Sequence, residues 1–225
     1  PKLKECGWGV EHGSRIHYEY NITAGKIRTG GRGRKQKADY VLEYKGVKLA
    51  VVEAKSVLQD VGEGVMQAKE YAHKLQLAYT FSTNGNEIYQ ICMATGEAKL
   101  ISDYPTPQEL WDKTFPNNSA NIDNEEERAK LEHIEKWRER LANVPFEDKG
   151  GTWQPRYYQE IAVRRTIEAI VQGQKRILLT LATGTGKTSI AFQKAWKVFQ
   201  TRWTLEQNGS RRPRILFLAD RNILA

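Results

Sequence analysis

Two groups of residues in this chain have types and spacings that suit phosphate chemistry. In the first, Asp39 is followed by Glu53 and Lys55. Hydrolysing a phosphodiester needs an activated water and relief of negative charge on the phosphoryl group and the leaving oxygen. One or two Mg²⁺ ions held by hard carboxylate oxygens can supply both. Glu53 and Lys55 lie two apart, so on a strand they share a face and Ala54 points to the other. Asp39 and Glu53 are the expected metal ligands. Lys55 is expected to orient the water or offset phosphate charge. Taken alone, the set is equally compatible with a solvated strand face.

The second group follows Ala182: Thr183, Gly184, Thr185, Gly186, Lys187 and Thr188. An apolar run precedes it (RILLTL, 176–181) and an amphipathic run follows it (SIAFQKAWKVF, 189–199). Strand, glycine-rich loop, helix is the setting of a phosphate-binding loop. Gly184 and Gly186 let backbone N–H groups turn toward phosphate oxygens. Lys187 is expected to reach the β- and γ-phosphates of ATP, and Thr188 to hold Mg²⁺. The helix N-terminus adds its own attraction for anions.

The elements that must position the first group are strands. Residues 15–24 alternate as a strand does. ADYVLEY (38–44) and VKLAVVEAK (47–55) read as a hairpin turning at Lys45-Gly46. The numbers 39 and 53 sum to 92, as do 45 and 47, so a short turn brings Asp39 near Glu53. Leu49-Ala50-Val51-Val52 is wholly apolar, which predicts a central strand. A helix is expected over 61–76, with Gly62 and Gly64 weakening its first turn. Two further strands, AYTFSTNG and NEIYQICMA, meet at Asn84-Gly85. This order gives a mixed-sheet α/β domain over 1–102. Tyr104-Pro105-Thr106-Pro107 opens a helical connector over 103–150, with a charged helix at 124–141 and a thin apolar stripe of Leu131, Ile134, Trp137 and Leu141. Residues 151–225 then begin a parallel-sheet nucleotide-binding unit. Residues 25–37 hold six basic residues and no acid. They read as an exposed loop leading into Asp39 and suited to DNA phosphates.

Asp39 with Glu53-Ala54-Lys55 resembles the PD-(D/E)xK nuclease core, with Ala38 where proline commonly stands. Gln67 and Tyr71, at i and i+4 on one helix face, resemble the Q-x-x-x-Y element of the RecB-like branch of those nucleases. That branch carries a further acid on its first helix, for which Glu5, Glu11 and Glu19 are unranked substitutes. The phosphate loop has Leu181 where the first glycine of the fuller motif stands, a variant that resembles superfamily 2 helicases and translocases. Arg156-Tyr157-Tyr158-Gln159 resembles that superfamily's upstream element, in which a glutamine reads adenine; Gln159 matches it. RILFLADRNILA (214–225) resembles its second strand and motif Ia.

A RecB-like nuclease, a connector and a superfamily 2 motor together resemble the motor and cleavage subunit of type I restriction enzymes. The resemblance implies Mg²⁺ and ATP as cofactors, double-stranded DNA as substrate, and methylation and specificity subunits as partners. Other readings are a single-chain restriction enzyme with an in-line methyltransferase, a repair helicase–nuclease, and a non-catalytic module that clamps DNA.

Composition agrees with a polyanionic partner: 35 Lys and Arg against 27 Asp and Glu give a net charge of +8 over 225 residues. Cys6 and Cys92 form no metal pattern, which points to a reducing, cytoplasmic compartment. No apolar stretch is long enough to span a bilayer. The chain starts Pro1-Lys2, and a complete nucleotide-binding domain needs more strands than the roughly 40 residues after the loop supply. It is expected to be part of a longer subunit.

Overall fold

The structure, a computed structural model, describes residues 1–22, 36–116, 124–148, 150–151 and 155–218. The basic loop therefore lies outside the described residues apart from Gln36 and Lys37, as does the motif Ia stretch beyond residue 218. A short helix α1 (Lys2–Glu5) leads into strand β1 (Ser14–Ile22). Strands β2 (Gln36–Tyr44) and β3 (Val47–Ala54) follow, then a 3-10 turn (Val61–Gly64) and helix α2 (Val65–Leu75). Strands β4 (Tyr79–Thr83), β5 (Ile88–Cys92) and β6 (Ala98–Ile101) complete one six-stranded sheet in sequence order. All neighbours run antiparallel except β3 and β4, which are parallel and joined through α2. The chain is thus an α/β fold built on a mixed sheet.

The apolar run of β3 is central, as its sequence predicts. Leu49, Ala50 and Val51 are fully buried and Val52 nearly so. Alternation sends Val52 and Leu42 into a core with Trp8, Phe81, Leu110 and Trp111. It sends Val51 and Val41 into a second core beneath α2, with Tyr71, Ala72 and Leu75. Helix α3 (Pro107–Thr114) closes the first core. The sequence singles out a helix of the connector only at 124–141, yet a full capping box between Thr106 and Glu109 starts one here as well. The expected 61–76 helix is divided: Asp60 accepts from Gly62 N and holds a 3-10 turn before α2 begins.

Helices α4 (Glu125–Asn143), α5 (Tyr157–Val171) and α6 (Lys187–Gln200) pack around a third core of Trp137, Leu141, Val163, Ile167 and Ile190. Arg138, on the same face of α4 as Ile134 and Leu141, is also buried and donates to both oxygens of Glu168 at 2.8 and 2.7 Å. Helix α5 touches the sheet domain as well: Arg164 donates to the Leu75 and Gln76 carbonyls that end α2.

The strand expected at 176–181 is not formed. Among the described residues, neither this run nor 214–218 pairs with any strand, and Leu178 is 90% exposed. A parallel strand exists through its neighbours' hydrogen bonds. An apolar sequence by itself does not make one, and no such neighbour is among the described residues.

Candidate active site

The β2–β3 hairpin turns through Lys45 and Gly46, both at positive φ (+50° and +75°), and pairs Tyr44 with Val47. Those numbers sum to 91, which by itself would set Asp39 opposite Val52. The register shifts between Leu42 and Glu43, where β3 carries Leu49 unmatched, and Tyr40 then pairs with Val52. One bulged residue therefore moves the next pair along to Asp39 and Glu53. A one-residue slip exchanges the faces of a strand, so the bulge decides whether the two carboxylates meet.

They do meet. Asp39 Oδ2 accepts from Ala54 N at 2.8 Å, across the strand end that carries Glu53. Lys55 Nζ lies 3.3 Å from Glu53 Oε1 and donates to Gln67 Oε1 at 2.9 Å. Gln67 Nε2 in turn donates to the Tyr71 hydroxyl at 3.0 Å. Lysine can only donate, so the amide oxygen of Gln67 must face it and the amide nitrogen must face Tyr71. Glu53, Lys55, Gln67 and Tyr71 thus form one connected set, with Tyr71 rooted in the core beneath α2, and Asp39 joins it through the backbone of Ala54.

Glu53 sits in a setting that disfavours a lone carboxylate charge. Burial, and then the neighbouring Asp39 charge, push its carboxyl above the usual carboxylate range, against the pull of Lys55. Its Oε2 is buried and has no hydrogen-bond partner. An orphaned carboxylate oxygen beside a second carboxylate is a fitting seat for a hard divalent cation. Among the described residues, no three His, Cys, Asp or Glu side chains cluster as metal ligands. Two carboxylates agree with Mg²⁺, which keeps several of its waters. Of the substitute acids, Glu19 pairs with Lys37 at 3.1 Å.

The phosphate loop is largely exposed, and Gly184 and Gly186 take positive φ of +75° and +80°. Gly186 is the N-cap of α6, with Lys187 and Thr188 in its first turn. Lys187 Nζ folds back onto the Leu181 and Ala182 carbonyls at 2.9 and 3.1 Å, and Thr185 Oγ1 donates to Ala182 O. Thr183 and Thr188 stay exposed. Gln159, 6% exposed, is the residue whose place differs most from an open base reader. Its Oε1 accepts from Arg156 N and its Nε2 donates to Thr185 O at 3.0 Å, so it braces the loop. A Cβ on Gly186 would lie 2.6 Å from Gln159 Nε2. Its neighbour Glu160 accepts from Tyr20 on β1 and Lys48 on β3, both at 2.8 Å. Sequence reading missed Glu160, and nothing in its local pattern marks it.

Known proteins resemble the two parts of the chain separately. A family described as "Type I restriction enzyme EcoKI endonuclease subunit second domain" matches residues 10–108. A second, "Type III restriction enzyme, res subunit", matches residues 152–225. The chain is 35% identical, over its whole length, to the Escherichia coli type I restriction enzyme EcoAI endonuclease subunit. It is 32% identical, over 89% of its length, to the EcoKI endonuclease subunit of Escherichia coli strain K12. It spans only 26% and 19% of those relatives. A solved fragment described as an HsdR subunit of a type I restriction enzyme, from Vibrio vulnificus YJ016, superposes with a TM-score of 0.72 at 39% identity. That match covers 95% of this chain and 38% of the solved one. The chain belongs to the type I restriction enzyme endonuclease (HsdR) subunits and corresponds to their N-terminal region.

Proposed function

We propose that residues 1–102 are a Mg²⁺-dependent DNA endonuclease domain, that 103–150 connect it, and that 151–225 begin an ATP-driven DNA translocase. The observation that carries the nuclease reading is the buried, unpartnered Glu53 Oε2 beside Asp39 and Lys55. Asp39 and Glu53 would hold Mg²⁺, which supplies an activated water and neutralises charge on the scissile phosphate. Lys55 has three N–H donors. Glu53 and Gln67 engage two, which leaves one for a phosphate oxygen or the attacking water. The net charge of +8 favours the DNA backbone. In the nucleotide site, Lys187 and Thr188 at the start of α6 grip ATP phosphates and Mg²⁺, and Gln159 braces the loop. The whole subunit works on double-stranded DNA in the cytoplasm, together with methylation and specificity subunits. No helix among the described residues is long and apolar enough to cross a membrane.

The test is to separate the two chemistries in the full-length subunit assembled with its partners. Asp39→Ala, Glu53→Ala and Lys55→Ala should each abolish cleavage and leave DNA-stimulated ATP hydrolysis intact. Lys187→Ala should abolish ATP hydrolysis and translocation, and with them the cleavage that depends on translocation. Wild-type cleavage in Glu53→Ala would refute the nuclease reading.

A further inference from the structure

The 3-10 turn Val61–Gly64 ends against the lysine of the proposed nuclease site. Ser82, on β4 directly across from Glu53, is fully buried and donates from Oγ to Val61 O at 2.6 Å. Gly64 is buried too. A Cβ added there would lie 2.3 Å from Ser82 Oγ, 3.3 Å from Lys55 Cγ and 3.4 Å from Lys55 Cε. The first distance is a hard overlap, and the other two are tight contacts along the lysine stem. Three residues later comes Gln67, whose Oε1 receives Lys55 Nζ. A Cβ on Gly62 would instead lie 2.8 Å from Asp60 Oδ1, the oxygen that caps the turn.

We propose that Gly64 and Ser82 are positioning residues for Lys55. Ser82 pins the 3-10 turn to the strand that pairs with Glu53. Gly64, having no side chain, lets the turn lie against the aliphatic stem of Lys55, so that α2 begins close enough for Gln67 to reach Nζ. A lysine stem has large rotamer freedom; contact along Cγ and Cε removes it before substrate arrives. The ammonium is then presented in one place, between Glu53 and Gln67, with its third N–H aimed by the other two. This proposal rests on the reading of Asp39, Glu53 and Lys55 as a nuclease site.

The experiment uses the full-length subunit assembled with its partners, under saturating ATP. It reads single-turnover cleavage, the Mg²⁺ concentration for half-maximal cleavage, and ATP hydrolysis. Gly64→Ala should slow cleavage by about 100-fold, the scale of an ångström's misplacement of a reacting group. Half-saturation by Mg²⁺ and ATP hydrolysis should not move, because the carboxylates and the motor are untouched. Ser82→Ala removes the hydrogen bond to Val61 O and adds no bulk. It should slow cleavage by about 10-fold, the scale of one lost hydrogen bond, with Mg²⁺ half-saturation and ATP hydrolysis again unmoved. Wild-type cleavage by Gly64→Ala would overturn the proposal. So would a loss that weakens Mg²⁺ or ATPase in step, or wild-type cleavage by Ser82→Ala. Full cleavage by Glu53→Ala, run alongside, would instead sink the nuclease reading beneath it.

Discussion

Replacing Gln67 by alanine cuts the middle of the chain that runs from Tyr71 through Gln67 to Lys55 and Glu53. Its Oε1 accepts from the Lys55 ammonium at 2.9 Å, and its Nε2 holds the Tyr71 hydroxyl at 3.0 Å. A hydrogen bond to a charged group contributes about 1.5–3 kcal/mol. If that contribution is felt fully in the transition state, cleavage slows by roughly 10- to 150-fold, since each 1.36 kcal/mol is tenfold. Lys55 keeps its 3.3 Å contact with Glu53, so some activity should survive. Tyr71→Phe removes only the outer link. It leaves the Gln67 oxygen on Lys55 and costs one neutral hydrogen bond, about 1 kcal/mol or roughly fivefold. The two variants should therefore rank, with Gln67→Ala the slower, in single-turnover cleavage by the assembled enzyme. Tyr71→Phe as slow as Gln67→Ala would mean that the tyrosine hydroxyl acts on DNA directly. Unchanged cleavage in Gln67→Ala would refute the reasoning outright.

Glu53→Gln should raise the melting temperature measured without divalent metal while abolishing cleavage. A carboxyl whose folded pKa lies above its unfolded value weakens the fold as pH rises through that window, so the variant's advantage appears at neutral pH and fades in acid. A melting temperature below wild type at neutral pH in EDTA would contradict this. Lys197 offers a second pH test. Burial pushes its ammonium down to about 8 from 10.5, against the pull of Glu160 and Glu43. Burial disfavours the charged form, and the Leu141, Ala142 and Val144 carbonyls that accept from Nζ offset part of that penalty. That penalty is relieved as pH rises from about 8 toward 10.5. Lys197→Met should remove this alkaline gain, read as the difference between wild-type and variant urea midpoints at each pH. A constant difference across that range would show that Lys197 does not titrate there.

Much of the sheet was legible because alternation and turn chemistry are local. Val51, Glu53 and Lys55 fall on one face by counting alone, and Lys45-Gly46 marks its own turn. The register was legible only in its outcome. Counting placed Asp39 beside Glu53 by assuming uninterrupted pairing, whereas the structure reaches the same pair through a two-residue turn and the unmatched Leu49. No property of Leu49 signals a bulge. The sequence reading of 103–150 as a connector did not single out α3, because its charged residues hide Leu110 and Trp111, although the Thr106–Glu109 box was there to be read. The reverse error came at 176–181, where an apolar run promised a buried strand. Strand formation depends on partners that local sequence does not contain. Gly64 and Ser82 were passed over because their part is a close approach between segments distant in sequence.

Gln159 and Glu160 are consecutive on α5, yet one bonds the phosphate loop and the other bonds the six-stranded sheet. Tyr20, which Glu160 holds, pairs on β1 with Ala38, the residue before Asp39. A single peptide unit thus separates the attachments of the two centres. Thermodynamic linkage makes any traffic across it reciprocal. If filling the loop shifts the Thr185 carbonyl, the free energy passed through α5 to the sheet equals the change in nucleotide affinity produced by loosening the sheet. A strain introduced at Tyr20 or Lys48 would then be read out as a change in nucleotide binding at a loop that neither residue touches.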